Sequence, residues 1–324
     1  MLPLDIIKAP IKHELEEFEN YFRSTIQSDI PLLSIIINYI LRKKGKHLRP
    51  MFVFLAAKMN GDFNETTYMA ASSIELLHTA TLVHDDVVDE SYERRGSFSI
   101  NALWKNKLAV LVGDFILAKG LLLNIDHENY QFLQLISRSV KDMSEGEILQ
   151  MRKSLKPNIN YESYFEIIRK KTASLIATSM AIGTASVTTD KQIIERMFEI
   201  GIDVGIAFQI KDDIFDYQAK GILGKPTGND LRERKITLPL LHALSNTPEK
   251  ERRRILQEVR RKNKSSAKIQ ELVDFVIEQG GLIAATDQMN TYRDQAISKI
   301  KEFPDTPARD ALIELVNYVT TREK

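Results

Sequence analysis

Apolar residues recur three and four positions apart through most of this chain, and the alternation of a half-buried strand is scarce. A face with a 3.6-residue period buries itself against another helix, so the pattern predicts helix packed on helix. The breaks are short. Gly61-Asp62-Phe63-Asn64, Lys156-Pro157-Asn158, Thr247-Pro248, Gly280-Gly281 and Pro304-Asp305-Thr306-Pro307 read as turns, and Gly221 to Asp230 is the most loop-like stretch. A length of 324 residues alone allows two domains. With no fixed-period repeat, low-complexity tract or linker, the sequence predicts a single all-α domain over residues 1–324, built from about a dozen helices.

Composition narrows the function classes. The formal net charge is +1, so no strong field favours nucleic acid or an anionic membrane. Cysteine is absent, which removes disulfides, thiolate zinc sites and cysteine nucleophiles together and fits a reducing, cytoplasmic setting. The N-terminus lacks the basic segment, apolar run and cleavage site of a signal peptide. The most apolar stretches are Leu32 to Leu41, Leu108 to Leu123 and Leu175 to Val187. None is expected to span a bilayer: the first is too short, the second carries Asp114 and Lys119, and the third is rich in small residues.

Two acidic clusters share one spacing, Asp-Asp-x-x-Asp. Asp85, Asp86 and Asp89 end the apolar helical run Ser72 to Val88. Asp212, Asp213 and Asp216 end a helix that starts near Ile193. Asp85 and Asp89 share one helix face, as do Asp212 and Asp216. Crowded carboxylates repel, and at a helix C-terminus the macrodipole disfavours them further. One such cluster reads as a solvated acidic helix end. Two identical ones, embedded in apolar sequence, point to a bound cation. Oxygen ligands without cysteine suit magnesium or manganese, and magnesium bridges carboxylates to phosphates, so a diphosphate is the natural ligand.

Basic residues surround the clusters: Lys46 and Arg49 in Gly45-Lys46-His47-Leu48-Arg49-Pro50 ahead of a helix, Arg94 and Arg95, Lys170-Lys171-Thr172, Lys225 and Lys235. Arginine grips phosphate through its planar fork and lysine as a point charge. Each alone is more often a solvated surface charge; their grouping favours phosphate binding. His78 lies two turns before Asp85, placed to donate to a phosphate or to sit satisfied in the core. Gly201 and Gly205 lead toward Gln209 and the second cluster, and close packing is the favoured reason for glycine inside that helix.

From about Lys44 to Pro239 these residues resemble the trans-isoprenyl diphosphate synthases, the polyprenyl synthetase family, and most of all its bacterial long-chain, octaprenyl-type members. The segment His78 to Ser91 is similar to the family's first aspartate-rich region and Phe208 to Tyr217 to its second. Gly224-Lys225-Pro226 with Asp230, then Lys235-Ile236-Thr237-Leu238-Pro239, is similar to the segment that follows. Two departures are visible: Lys44-Gly45-Lys46-His47 where Gly-Gly-Lys-Arg is common, and Ser97-Phe98-Ser99 where Pro and Thr are common.

The resemblance implies an isoprenoid-synthase helical bundle around a central, dry cavity. It implies that the six aspartates hold magnesium, about three ions per active site with manganese able to substitute, against an allylic diphosphate such as farnesyl diphosphate. Arg94, Lys171, Lys225 and Lys235 would contact that diphosphate. Lys46, Arg49, His78 and Arg95 would bind isopentenyl diphosphate, and Thr172, Phe208 and Gln209 would line the space where the substrates meet. It also implies a homodimer, no nucleic-acid partner, and weak membrane association at most, during product release. Three other readings remain: a shorter-chain farnesyl or geranylgeranyl synthase, a subunit that needs a partner, and a class I terpene cyclase. The second Asp-Asp-x-x-Asp and the Lys46/Arg49 region argue against the cyclase.

In the family, the residues four and five before the first aspartate limit product length, and here they are the small Thr81 and Ala80. An apolar tunnel continuing toward Leu77 and the stretch Leu108 to Leu123 fits a long product, octaprenyl at the centre of the expected range. Ala80→Phe is expected to shorten the product, as read by chain-length separation of labelled products; an unchanged length would refute the tunnel.

Overall fold

The computed structural model describes residues 3–42, 47–94, 96–155, 160–218 and 228–322, and helix dominates each of these segments. In chain order the helices are α1 (Pro3–Lys8), α2 (Lys12–Ile26), α3 (Pro31–Arg42), α4 (Leu48–Asn60), α5 (Glu65–Val88), α6 (Ile100–Asp126), α7 (Tyr130–Leu155) and α8 (Tyr161–Ile168). They continue as α9 (Ser174–Ala185), α10 (Lys191–Gln218), α11 (Asn229–Arg232), α12 (Leu238–Ser245), α13 (Glu249–Arg260), α14 (Ser266–Glu278), α15 (Gly281–Ile300) and α16 (Pro307–Thr321). Several are only one or two turns long, which is why they outnumber the dozen expected. The turn at Lys156-Pro157-Asn158 and residues 221–227 of the expected loop lie outside the described residues. Asn229 and Asp230, the end of that loop in the sequence reading, instead open α11.

Two compact units divide the chain. Met1–Val140, Thr178–Phe198 and Phe303–Leu312 form the first; Lys141–Ala177, Glu199–Glu302 and Ile313–Lys324 form the second. Each unit is assembled from three separate stretches, so no single linker marks a division in the sequence.

In the first unit α4 is buried on all sides, with Met51 to Ala57 at most 1% exposed, which explains its lack of a polar face. α4 begins at Leu48, so Arg49 and Pro50 stand in its first turn rather than ahead of it. Phe54 meets Phe18, Phe63 and Tyr68 edge to face at ring separations of 5.5–5.8 Å. α5 starts in a capping box: Asn64 Oδ1 accepts from Thr67 N at 3.1 Å, and Asn64 N donates to Thr67 Oγ1 at 3.4 Å. Its main partner is α6.

As a helix, α6 extends the apolar run Leu108 to Leu123 to 27 residues, long and apolar enough by length and composition to cross a membrane. α6 is kinked at Lys105, where the backbone leaves the helical region (φ 72°, ψ 158°), and Asp114 and Lys119 leave the mean hydropathy of the run high. A feature that periodicity did not announce joins α5 to α6: the antiparallel hairpin β1 (Glu93–Arg94) and β2 (Ser97–Phe98), turned by Gly96 at φ 74°.

In the second unit a core of Ile206, Ile210, Ile214, Leu238, Leu272, Val276 and neighbouring apolar side chains is closed to solvent. A Cβ at Gly201 would overlap Ala177, and one at Gly205 would overlap Ala173. α10 therefore lies in backbone contact with the segment carrying these alanines, as expected from the glycine stripe. Gly205→Val should lower stability by about 3 kcal/mol, read as a shifted urea midpoint, because neither backbone can retreat.

Candidate active site

The i, i+4 geometry of each acidic motif turns its outer aspartates one way and its middle aspartate another. In the first unit Asp86 is buried, whereas Asp85 is partly exposed and Asp89 exposed. The chain leaves α5 through bonds to the Asp86 carbonyl, from Ser91 N at 2.9 Å and from the Asn101 side-chain Nδ2 at 3.2 Å. The next residues form the hairpin that carries Arg94. His84, beside the motif, faces Asp114 of α6 at 3.3 Å. His78 is partly exposed, and its carbonyl accepts the Thr81 hydroxyl at 2.9 Å. Ala80 is buried and Thr81 only partly exposed.

The second unit repeats the division with more of its partners visible. Asp213 is buried and receives Tyr164 Oη on Oδ2 at 2.6 Å and Gln209 Nε2 on Oδ1 at 2.9 Å, with the Leu238 N–H as a third donor. Gln209 Oε1 in turn accepts the Thr172 hydroxyl at 2.6 Å. Asp216 accepts the N–H groups of Asn229 and Asp230, both at 2.9 Å, and so caps α11 from thirteen and fourteen residues away. Asp212 remains about two-fifths exposed and is bonded by Arg322, whose guanidinium lies 4.3 Å over the Phe208 ring. A carboxylate has about four lone-pair sites, so these donors leave room on each aspartate for a cation.

Between α8 and α9 the helix widens for one turn, Arg169–Ala173, where Ser174 N–H reaches back five residues to Arg169 O. Lys171 and Thr172 of that turn both open on one cleft of 220 Å³, along with Gln150, Tyr164, Gln209, Asp213, Asp230 and Lys235. Lys171 bonds Gln150 Oε1 at 2.6 Å and pairs with Glu147, and Lys235 lies 2.5 Å from Glu233. Two cations thus stand in an acid-lined cleft, each on a partner that a phosphate can replace.

Of the residues the sequence singled out, this cleft unites Lys171, Thr172, Gln209, Asp213 and Lys235, and Phe208 packs under Arg322 beside Asp212. Lys46, Arg95 and Lys225 lie outside the described residues, and of Arg94 the backbone alone is described. Sequence reasoning missed Tyr164 and Arg322 as partners of the motif, and Gln150 as the partner of Lys171. Tyr164, two turns before Lys171, looked like any core aromatic. Among the described residues no three His, Asp or Glu side chains are already gathered to hold a metal by themselves.

The chain is similar to known proteins over most of its length. The polyprenyl synthetase family model matches residues 30–276. The octaprenyl diphosphate synthase of Escherichia coli is 35% identical over 302 residues, 92% of this chain and 93% of that one. The heptaprenyl diphosphate synthase component 2 of Bacillus subtilis is 31% identical over 97% of this chain and 89% of its own. Among solved structures, a Caulobacter crescentus polyprenyl synthase complexed with calcium and isoprenyl diphosphate is 32% identical at a TM-score of 0.91, covering 99% of this chain and 98% of that one. A geranylgeranyl pyrophosphate synthase from Bacteroides thetaiotaomicron is 35% identical at 0.86, covering 99% and 100%. The fold is that of the all-α isoprenoid synthases. The chain belongs to the polyprenyl synthetase family and is a trans-prenyltransferase, a polyprenyl diphosphate synthase.

Burial is the chief cause that raises three acids of the second unit: Asp213 to about 6, Asp230 to about 7, and Asp216 in the same direction. For Asp230 the neighbouring Asp213 and Asp216 charges add to the effect. A carboxyl that holds its proton more tightly when folded stabilises the fold below its unfolded pKa. That contribution is lost as pH rises from about 4 through about 7 for Asp230. Asp230→Asn should therefore melt higher than wild type at pH 8 without metal, by on the order of 1–3 kcal/mol, with the gap closing toward pH 4.

Proposed function

We propose that this enzyme condenses isopentenyl diphosphate repeatedly onto an allylic primer, farnesyl diphosphate by preference, to give a long all-trans polyprenyl diphosphate of about octaprenyl length for isoprenoid quinone side chains. The observation that carries the reading is the Lys171–Lys235 cleft, floored by the buried carboxylate of an Asp-Asp-x-x-Asp motif. The length rests on the small residues Ala80 and Thr81 and on the similarity to an octaprenyl synthase. Residues 1–324 act in this reading as one polyprenyl synthase domain.

Magnesium, replaceable by manganese, would be held by Asp85, Asp86 and Asp89 and by Asp212, Asp213 and Asp216, with the partly exposed Asp85 and Asp212 the most accessible within their motifs among the acids that stand inside the helix. Bound there, it supplies the positive charge against which the allylic carbon–oxygen bond ionises. Lys171, Lys235, Arg94 and Lys225 hold the same diphosphate, the first two by exchanging Glu147 and Glu233 for phosphate oxygens. Lys46, Arg49, His78 and Arg95 hold isopentenyl diphosphate so that its double bond attacks the allylic cation. A proton then leaves the new tertiary cation for the released diphosphate, which neutralises the charge and sets the next double bond. Thr172, Gln209 and Phe208 line the meeting place, and exclusion of water there protects the cation.

A homodimer accords with the exposed apolar stripe of α6, where Leu111 is 63% and Leu122 50% exposed. The enzyme would act in the cytoplasm. Similarity to a component 2 favours one further reading, a catalytic subunit that needs a partner, although both acidic motifs are intact.

Purified protein with farnesyl diphosphate, labelled isopentenyl diphosphate and magnesium should yield polyprenyl products that vanish with chelator. Asp212→Asn should lower kcat by about a hundredfold or more. Absence of incorporation with every allylic primer, restored by a second subunit, would establish the partner-dependent reading; consumption of primer alone would point to a cyclase.

A further inference from the structure

We propose that Tyr164 is a positioning residue for prenyl transfer: its hydroxyl fixes Asp213, and through Asp213 it fixes the Gln209–Thr172 pair that faces the reacting diphosphate. This deepens, and rests on, the function proposed above.

Tyr164 stands on α8 with its ring in the core of the second unit and 4% of its surface exposed. A buried phenol needs a hydrogen-bond partner, and Tyr164 finds it in Asp213 Oδ2 at 2.6 Å, the short separation of a charge-assisted bond. A phenol keeps its proton at neutral pH and a carboxylate can only accept, so Tyr164 is the donor. With Oδ2 engaged by Tyr164, Oδ1 is presented to Gln209 Nε2 at 2.9 Å. An amide that donates on one side must accept on the other, so Gln209 turns Oε1 to the Thr172 hydroxyl, 2.6 Å away. One phenol thus sets the rotamer of a carboxylate, the flip state of an amide and the direction of a hydroxyl, and all four residues line the same cleft.

Packing alone does not require this oxygen. Phenylalanine would fill the same volume against Ile168 and Ile210, so a tyrosine retained for the core alone would be replaceable without kinetic effect. The cleft cation Lys171 is held by Gln150 and Glu147, independently of Tyr164. Loss of the hydroxyl should therefore act on the order of the Asp213–Gln209–Thr172 chain and spare the capture of isopentenyl diphosphate.

The test compares wild type with Tyr164→Phe in the full-length, magnesium-loaded protein. It measures kcat, the KM for isopentenyl diphosphate, the melting temperature and, independently of turnover, the magnesium-dependent binding of inorganic diphosphate. Tyr164→Phe is expected to lower kcat tenfold to a hundredfold, on the order of losing one hydrogen bond to a charged group, and to weaken diphosphate binding about tenfold. The KM for isopentenyl diphosphate should stay within about twofold and the melting temperature within about 4 °C. Equal kcat and equal diphosphate affinity overturn the proposal. So does a loss of kcat that follows a lowered melting temperature and disappears when the assay is cooled. A wild type that binds diphosphate but incorporates no isopentenyl unit refutes the proposed function, while the diphosphate comparison still decides the role of Tyr164.

Discussion

A carboxylate out of reach of water must be met by donors, and the second unit is arranged around meeting that requirement at Asp213. Tyr164, Gln209 and the Leu238 N–H supply it from α8, α10 and the start of α12. Three elements far apart in sequence are thereby held on one side chain. Asp216 extends the arrangement by capping α11 with both its oxygens, which fixes where Asp230 and then Lys235 stand. Asp212 completes it with the C-terminal Arg322. Each aspartate of the motif has a protein partner, and this is how a helix C-terminus tolerates three acids against its own dipole.

That tolerance is incomplete, and the shortfall is chemically useful. Asp213 and Asp230 are raised toward neutrality by burial, so the metal-free site is under electrostatic load at physiological pH. A divalent cation and a diphosphate bound there, as proposed, would relieve that load and couple ligand binding to the stability of the surrounding fold. The widened turn at Arg169–Ala173 serves the same site. Lys171 and Thr172 both line the cleft from this turn, while Ala173 packs against Gly205.

Family membership fixes the class of reaction more firmly than the length of its product. Relatives at about a third identity include an octaprenyl synthase, a heptaprenyl synthase component and a geranylgeranyl synthase. Product length belongs to particular side chains rather than to architecture. In the proposed reading that difference lies at buried Ala80 and partly exposed Thr81, five and four positions before Asp85 on α5.

What the sequence determined by itself was everything governed by near neighbours along a helix. The three- and four-residue period required an all-α fold. The i, i+4 spacing placed Asp85 with Asp89 and Asp212 with Asp216, and Gly201 and Gly205 announced a close backbone approach that the alanines opposite them confirm. Only the tertiary structure decided which aspartate turns inward, that Tyr164 and Arg322 are partners of Asp213 and Asp212, and that Asp216 caps a helix thirteen residues on. It also decided the hairpin at Arg94 and the length of α6 as a helix. The reason is physical: helical period and local spacing are set by bonds within four or five residues. A carboxylate recruits whatever donor the folded chain brings to it, here from 4 and 49 residues away at the buried Asp213 and from 110 residues away at the partly exposed Asp212.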